Sequence, residues 1–197
     1  MKKSRLEAFS DGVLAIIITI MVLELRAPHG STLADLRPLA PKVLSYLVSF
    51  LYIGIYWNNH HHMLQAVERV DGRVLWANML LLLWLSLIPF TTAWMGENHF
   101  QPLPVALYGV VLLLAAVAYY ILSRTLIRLH GPDSVLGRAV GSDVKGKLSL
   151  GLYAVSIPLA FVQAPAACAI YVLVAVIWLV PDARIERHLA SPRAEDR

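Results

Sequence analysis

The chain has 197 residues, of which 58% are apolar and 15% charged, against about 45–50% and about 25% in soluble domains. Mean hydropathy is +0.63 and the apolar residues fall into blocks, which excludes a soluble enzyme with a large core and marks an integral membrane protein. The net charge of +4 is spread between those blocks and forms no basic face or tail, so it reads as a topology signal and nucleic acid is excluded as a partner.

Six apolar blocks predict six transmembrane helices and an all-α fold. The first spans Gly12–Leu25, with the helix starting nearer Arg5, and it is no cleaved signal peptide because it runs on through Glu24 and Arg26 without a small-residue cleavage site. The others cover Val43–Trp57, Val74–Met95, Pro104–Leu122, Leu148–Val162 and Ala166–Val180. A span needs about 20 residues, so the shorter blocks must borrow polar ends or tilt. Lys2, Lys3, Arg5, Arg69, Arg73, Arg124, Arg128, Arg138, Lys145, Lys147, Arg184, Arg187, Arg193 and Arg197 fall on one side of this alternation, and Arg26, Arg37 and Lys42 on the other. The positive-inside rule therefore predicts cytoplasmic termini. Residues 1–190 form one six-helix domain and residues 191–197 a short cytoplasmic tail in this reading. The longest connection is expected between Arg124 and Lys147, with turn signals at Gly131-Pro132-Asp133 and Gly141.

The first helix carries the densest polar information. Ser10 and Asp11 either cap a helix that begins there or form a functional site, since a carboxylate at membrane depth is costly unless paired. At about 100° per residue, Phe9, Gly12, Ile16, Thr19, Ile20 and Leu23 share one stripe. That stripe is either a pore lining or ordinary helix–helix packing. In the second helix, Trp57 suits an interfacial belt. His60, His61 and His62 diverge by about 100° per step and do not converge on a metal; one of them is expected to face the bundle and meet a polar group. Asn78 is polar inside an apolar run and predicts an interhelical hydrogen bond, while Pro89 predicts a kink. The single cysteine, Cys168, excludes an internal disulfide. There is no phosphate-binding glycine loop, no nucleophile–base pair, no Thr-Val-Gly-Tyr-Gly filter and no arginine ladder. These absences predict neither an enzyme, nor a metal or cofactor site, nor a voltage sensor.

Arg5-x-x-x-Phe9-Ser10-Asp11 followed by an Ile/Thr-rich helix resembles the signature of the TMEM175 family of potassium channels. Trp57-x-x-His60, Asn78 and Leu87-Ile88-Pro89-Phe90 fit the same family, and one six-helix unit looks like its prokaryotic form. The resemblance implies a homotetramer in the prokaryotic plasma membrane, passing potassium through a central pore lined by the first helix. It places the constriction on Ile16, with Ile20 and Leu23 as further apolar rings and Thr19 as the selectivity hydroxyl. Arg5, Phe9, Ser10, Asp11, Trp57, His60 and Asn78 become a structural and gating network. Ala15 departs from relatives that carry a pore-facing serine there, which implies weaker selectivity. The competing reading is a proton-coupled carrier using Asp11 and His60.

Overall fold

The computed structural model describes residues 2–141 and 143–179, which are helical with short connections and no strand. In chain order these are α1 (Lys3–Leu23), α2 (Leu33–Leu36), a 3-10 turn (Arg37–Leu39), α3 (Ala40–Gln65), α4 (Gly72–Ser86), α5 (Ile88–Glu97), α6 (Pro102–His130), α7 (Val135–Val140) and α8 (Val144–Leu179). Five stretches are long and apolar enough to cross a membrane: α1, residues 33–65, residues 72–97, α6 and α8.

The last of these is two helices joined at a break. At Gln163 the backbone leaves the helical region (φ −152°, ψ 85°). Trp178 Nε1 donates to Ser149 Oγ at 2.8 Å, and the rings of Tyr153 and Tyr171 lie 6.4 Å apart. In one straight helix, residues 149 and 178 would be about 40 Å apart. The two halves of α8 therefore form an antiparallel hairpin, and the fifth and sixth predicted helices are both present.

Several boundaries differ from the sequence expectation, most of them for one reason. A helix does not end where its apolar residues end, because its backbone bonds continue through polar residues at the headgroup level. Thus α3 carries on beyond the apolar block to Gln65, with His60, His61 and His62 on the helix as expected. α6 carries on past Leu122 to His130, stopping at Gly131 with φ 92°, a conformation that favours glycine. The expected Arg124–Lys147 connection contracts to residues 131–143, which hold α7. α1 starts at Lys3, so Ser10 and Asp11 lie well inside it and cap nothing. Near Pro89 the helix breaks at Leu87: proline has no N–H for the Leu85 carbonyl, and its ring crowds that turn. Val180, the Arg184, Arg187, Arg193 and Arg197 positions, and the 190/191 domain boundary lie outside the described residues.

Long-range bonds show which ends lie together. Lys3 Nζ donates to the Val67 carbonyl at 3.0 Å, and the Arg69 N–H donates to His130 Nε2 at 3.4 Å. The start of α1, the α3–α4 turn and the end of α6 thus share one end of the bundle. At the other end Lys42 pairs with Glu97 at 2.9 Å.

The rear of the bundle, α6 against the α8 hairpin, is knitted by small residues and tyrosines. Ala115, Ala118, Ala160 and Ala167 are fully buried, letting backbones approach closely where apolar burial alone gives little drive. Thr92 Oγ1 donates to Ser49 Oγ (2.6 Å), which is 3.0 Å from Tyr108 Oη. Tyr153 Oη donates to Tyr52 Oη (3.1 Å), and Tyr52 Oη donates to the Tyr171 carbonyl (2.6 Å). Tyr171 Oη closes the set on the Val105 carbonyl at 3.1 Å. Gly109 makes room for that hydroxyl, since a Cβ there would overlap it. Gly109→Ala should therefore lower thermal stability in detergent by about 1–3 kcal/mol. Gly151→Ala, which meets nothing within 4 Å, should leave it unchanged; equal losses would refute the close approach.

Candidate functional site

α1 has two faces of similar chemistry and opposite fate. Leu6, Ser10, Leu14, Ile17 and Met21 are buried against the bundle, Ile17 being 3% exposed. Phe9, Gly12, Ile16, Thr19, Ile20 and Leu23, the stripe picked out by periodicity, are all exposed, with Ile16 at 60% and Leu23 at 72%. The stripe is therefore not packing between helices of the same chain. On it, Thr19 Oγ1 donates to the Ala15 carbonyl at 2.9 Å, so its oxygen lone pairs are left for an outside donor or cation.

A directed hydrogen-bond chain holds the buried face. Ser10 Oγ donates to the Leu6 carbonyl at 2.9 Å, and so accepts from Asn78 Nδ2 at 3.0 Å. The Asn78 amide is thereby oriented, with Oδ1 2.7 Å from His60 Nε2. An amide oxygen only accepts, so His60 carries its proton on Nε2 and donates. Ser10, Asn78 and His60 are all buried, and they tie α1 to α4 and α3. The predicted polar partner of Asn78 is thus His60 on one side and Ser10 on the other.

Beside this chain, Trp57 Nε1 donates to Asp11 Oδ1 at 3.0 Å. The Trp57 ring stacks on His61, with centroids 5.8 Å apart and planes at 17°. Gln65 Nε2, a donor, reaches His61 Nε2 at 2.8 Å, so that nitrogen is the acceptor. The consecutive histidines accordingly serve different neighbours. Arg5 and Phe9 are exposed and, by helical spacing, both fall on the bare side of α1. Within the single chain Asp11 is held by Trp57, while Lys3 takes Glu7 at 3.7 Å. The Lys3 contacts and the His61–Gln65 pair were not anticipated from sequence. The i,i+4 spacing of 3 and 7, and of 61 and 65, was the available signal.

Comparison with known proteins places this geometry. The family model described as endosomal/lysosomal potassium channel TMEM175 matches residues 5–89, which take in α1, α3, α4 and the α4–α5 break. A protein named as a potassium channel from Chryseobacterium sp. (strain P1-3) is 53% identical over 189 residues, covering 96% of this chain and 98% of its own. Another so named, from Streptomyces collinus, is 33% identical over 188 residues, covering 90% and 91%. The crystal structure of a lysosomal potassium-selective channel TMEM175 homolog from Chamaesiphon minutus superimposes with a TM-score of 0.78 at 28% identity, covering 91% of this chain and 97% of that one.

Replacing Asn78 by Ala leaves the buried His60 N–H without its acceptor and takes from the buried Ser10 hydroxyl one of its two bonds, and should cost about 1–3 kcal/mol of thermal stability in detergent. Trp57→Phe removes one donor from an exposed carboxylate and should cost less than about 1 kcal/mol. Equal losses in the two variants would show that Asn78 does not anchor α1.

Proposed function

The chain belongs to the TMEM175 family, whose members are ion channels and not enzymes, and on that premise we propose that it is a passive potassium-selective channel. The exposed face of α1 lines a pore on the four-fold axis of a homotetramer in the prokaryotic plasma membrane, with both termini cytoplasmic. One observation carries this reading: the stripe Phe9, Gly12, Ile16, Thr19, Ile20 and Leu23 is bare although its opposite face is packed. A helix so placed has one flank built into its own bundle and one flank left for other copies. The lysine and arginine asymmetry supports the orientation, because the start of α1, the α3–α4 turn and the end of α6 share the basic end.

Four copies of Ile16 make the constriction in this reading. Branched aliphatic side chains close a pore by excluding water, so a small rotation or widening of α1 is enough to open it. Ile20 and Leu23 extend the apolar zone by about one and two turns. Potassium sheds its hydration shell more readily than sodium, and the outward-facing oxygen of Thr19 offers one ring of compensation. The network of Ser10, Asp11, Trp57, His60 and Asn78 holds α1 from behind and sets the rest position of the gate. Arg5 and Phe9, at the basic end of the stripe, are placed to meet a neighbouring copy. A carrier coupling protons through Asp11 and His60 is not favoured: those two groups are bonded to different partners, Trp57 and Asn78.

The test is ion flux into liposomes holding the purified protein, comparing potassium and sodium gradients, with Ile16→Asn alongside. The wild type should pass potassium in preference to sodium, with flux that follows the electrochemical gradient and does not saturate. Lowering the dewetting barrier by about 1.4 kcal/mol would raise the flux of Ile16→Asn about tenfold, with a reduced preference for potassium. Unchanged currents in that variant would remove Ile16 from the constriction, and saturable, proton-coupled flux would replace the channel with a carrier.

A further inference from the structure

A second site lies away from α1, in a cleft between α3, α6 and the α8 hairpin. Its walls include Tyr56, Asn59, Tyr119, Asp143, Tyr153 and Trp178. The aromatic rings stand as corners. Tyr56 and Tyr119 meet edge-on at 6.1 Å and 68°, and Tyr119 and Trp178 at 6.4 Å and 75°. In an edge-on contact the rim of one ring meets the face of its partner, and with Tyr153 these rings give the cleft aromatic walls; an aromatic wall attracts a cation that comes within about 6 Å of a ring face. Trp178 is fixed by its bond to Ser149. Asn59 is fixed by its bond to the Ile55 carbonyl at 2.8 Å.

Charge and size narrow the occupant. Asp143 is the one charged residue among those lining the cleft, and its Oδ1 accepts the Gly146 N–H at 3.1 Å, which holds it at the start of α8. Tyr120 also borders the space, but the Arg124 guanidinium already sits 5.1 Å from its ring centre. The space open to the centre of a water molecule is about 50 Å³. That corresponds to roughly three to five waters at about 10–15 Å³ each, the bulk of a methylated ammonium group and too little for a nucleotide or sugar. Bonds already made at both ends of the cleft leave its middle apolar and aromatic.

We infer that this cleft binds an organic ammonium group, primary or methylated, with Tyr56, Tyr119, Tyr153 and Trp178 as its cage and Asp143 as its counter-charge. The group comes from a lipid headgroup or from a free amine at the basic end of the bundle. The inference stands apart from the pore, since none of these residues is on α1.

The test uses the full-length protein in nanodiscs of phosphatidylglycerol, with choline as the probe and its uncharged isostere 3,3-dimethylbutan-1-ol beside it, binding being read by ligand-observed NMR. Choline should bind at least fivefold more tightly than the isostere. Asp143→Asn, which keeps a capping side chain, should weaken choline at least fivefold. Tyr119→Leu should abolish binding, and Tyr119→Phe, which keeps the ring, should restore it. In phosphatidylcholine nanodiscs, loss of choline binding assigns the site to a lipid headgroup, and retained binding assigns it to a free amine. Equal binding of choline and the isostere would overturn the inference. So would choline binding that Asp143→Asn and Tyr119→Leu leave intact but Ile16→Asn removes, because the probe would then sit in the pore.

Discussion

The hydrogen-bond chain from His60 through Asn78 to Ser10 and the Leu6 carbonyl decides which face of α1 the bundle covers. Within hydrocarbon, an apolar helix face gains little by turning from lipid to a neighbouring helix. Leu14 and Ile17, which are buried, and Ile16 and Ile20, which are exposed, are chemically alike, so they cannot fix the rotation of α1. A buried hydroxyl or amide without a partner costs several kcal/mol in that setting. Ser10, fully buried and the acceptor for the fully buried Asn78 amide, distinguishes one rotation from another in the interior, and the Asp11–Trp57 bond does so at the exposed margin. A turn of one residue, about 100°, would break the Ser10–Asn78 bond.

The rest of the molecule supplies a frame stiff enough for this bond to matter. α6 and the two halves of α8 are joined by alanine contacts and by the tyrosine set around Tyr52, Tyr108, Tyr153 and Tyr171. Through Ser49 and Thr92 the same set reaches α3 and α5. α1 then packs on α3, α4 and α5 at the front. Polar groups in the rear are satisfied inside the chain. The front presents an aliphatic face that nothing among the described residues covers, and in the proposed assembly other copies and the permeating ion meet it.

What was legible in the sequence was whatever costs free energy in a membrane. Six spans followed from apolar blocks. Asn78 stood out as a polar group inside such a block and Asp11 as a carboxylate at membrane depth, whereas Ser10 read equally as a cap and His60 was one of three histidines of which one was expected to meet a polar group. The partners themselves were less legible. Asn78 is 68 residues from Ser10, and only the family resemblance joined them in advance. Tyr52 and Tyr171 are 119 residues apart, and a tyrosine in an apolar block reads equally well as an interfacial belt. One helix end was misjudged where polar residues continued the backbone pattern, at the end of α6, which runs through Arg124 and Arg128 to His130. The break at Leu87 was displaced from Pro89 because proline disrupts the turn before it.

The bare stripe of α1 also bounds how selective the proposed pore can be. Among its six residues, the Thr19 hydroxyl is the one side-chain polar group, and its proton is already given to the Ala15 carbonyl. An ion passing Ile16 therefore meets at most one ring of side-chain oxygens, where a carbonyl filter would replace most of a hydration shell. Preference for potassium must come from the lower cost of stripping its water at the aliphatic ring, with Thr19 adding a smaller correction. Such a design separates two jobs by face. In the proposed pore, substitutions at Ser10, Asn78 or His60 would act on how firmly α1 is held, whereas those at Ile16, Thr19 or Ile20 would act on what passes.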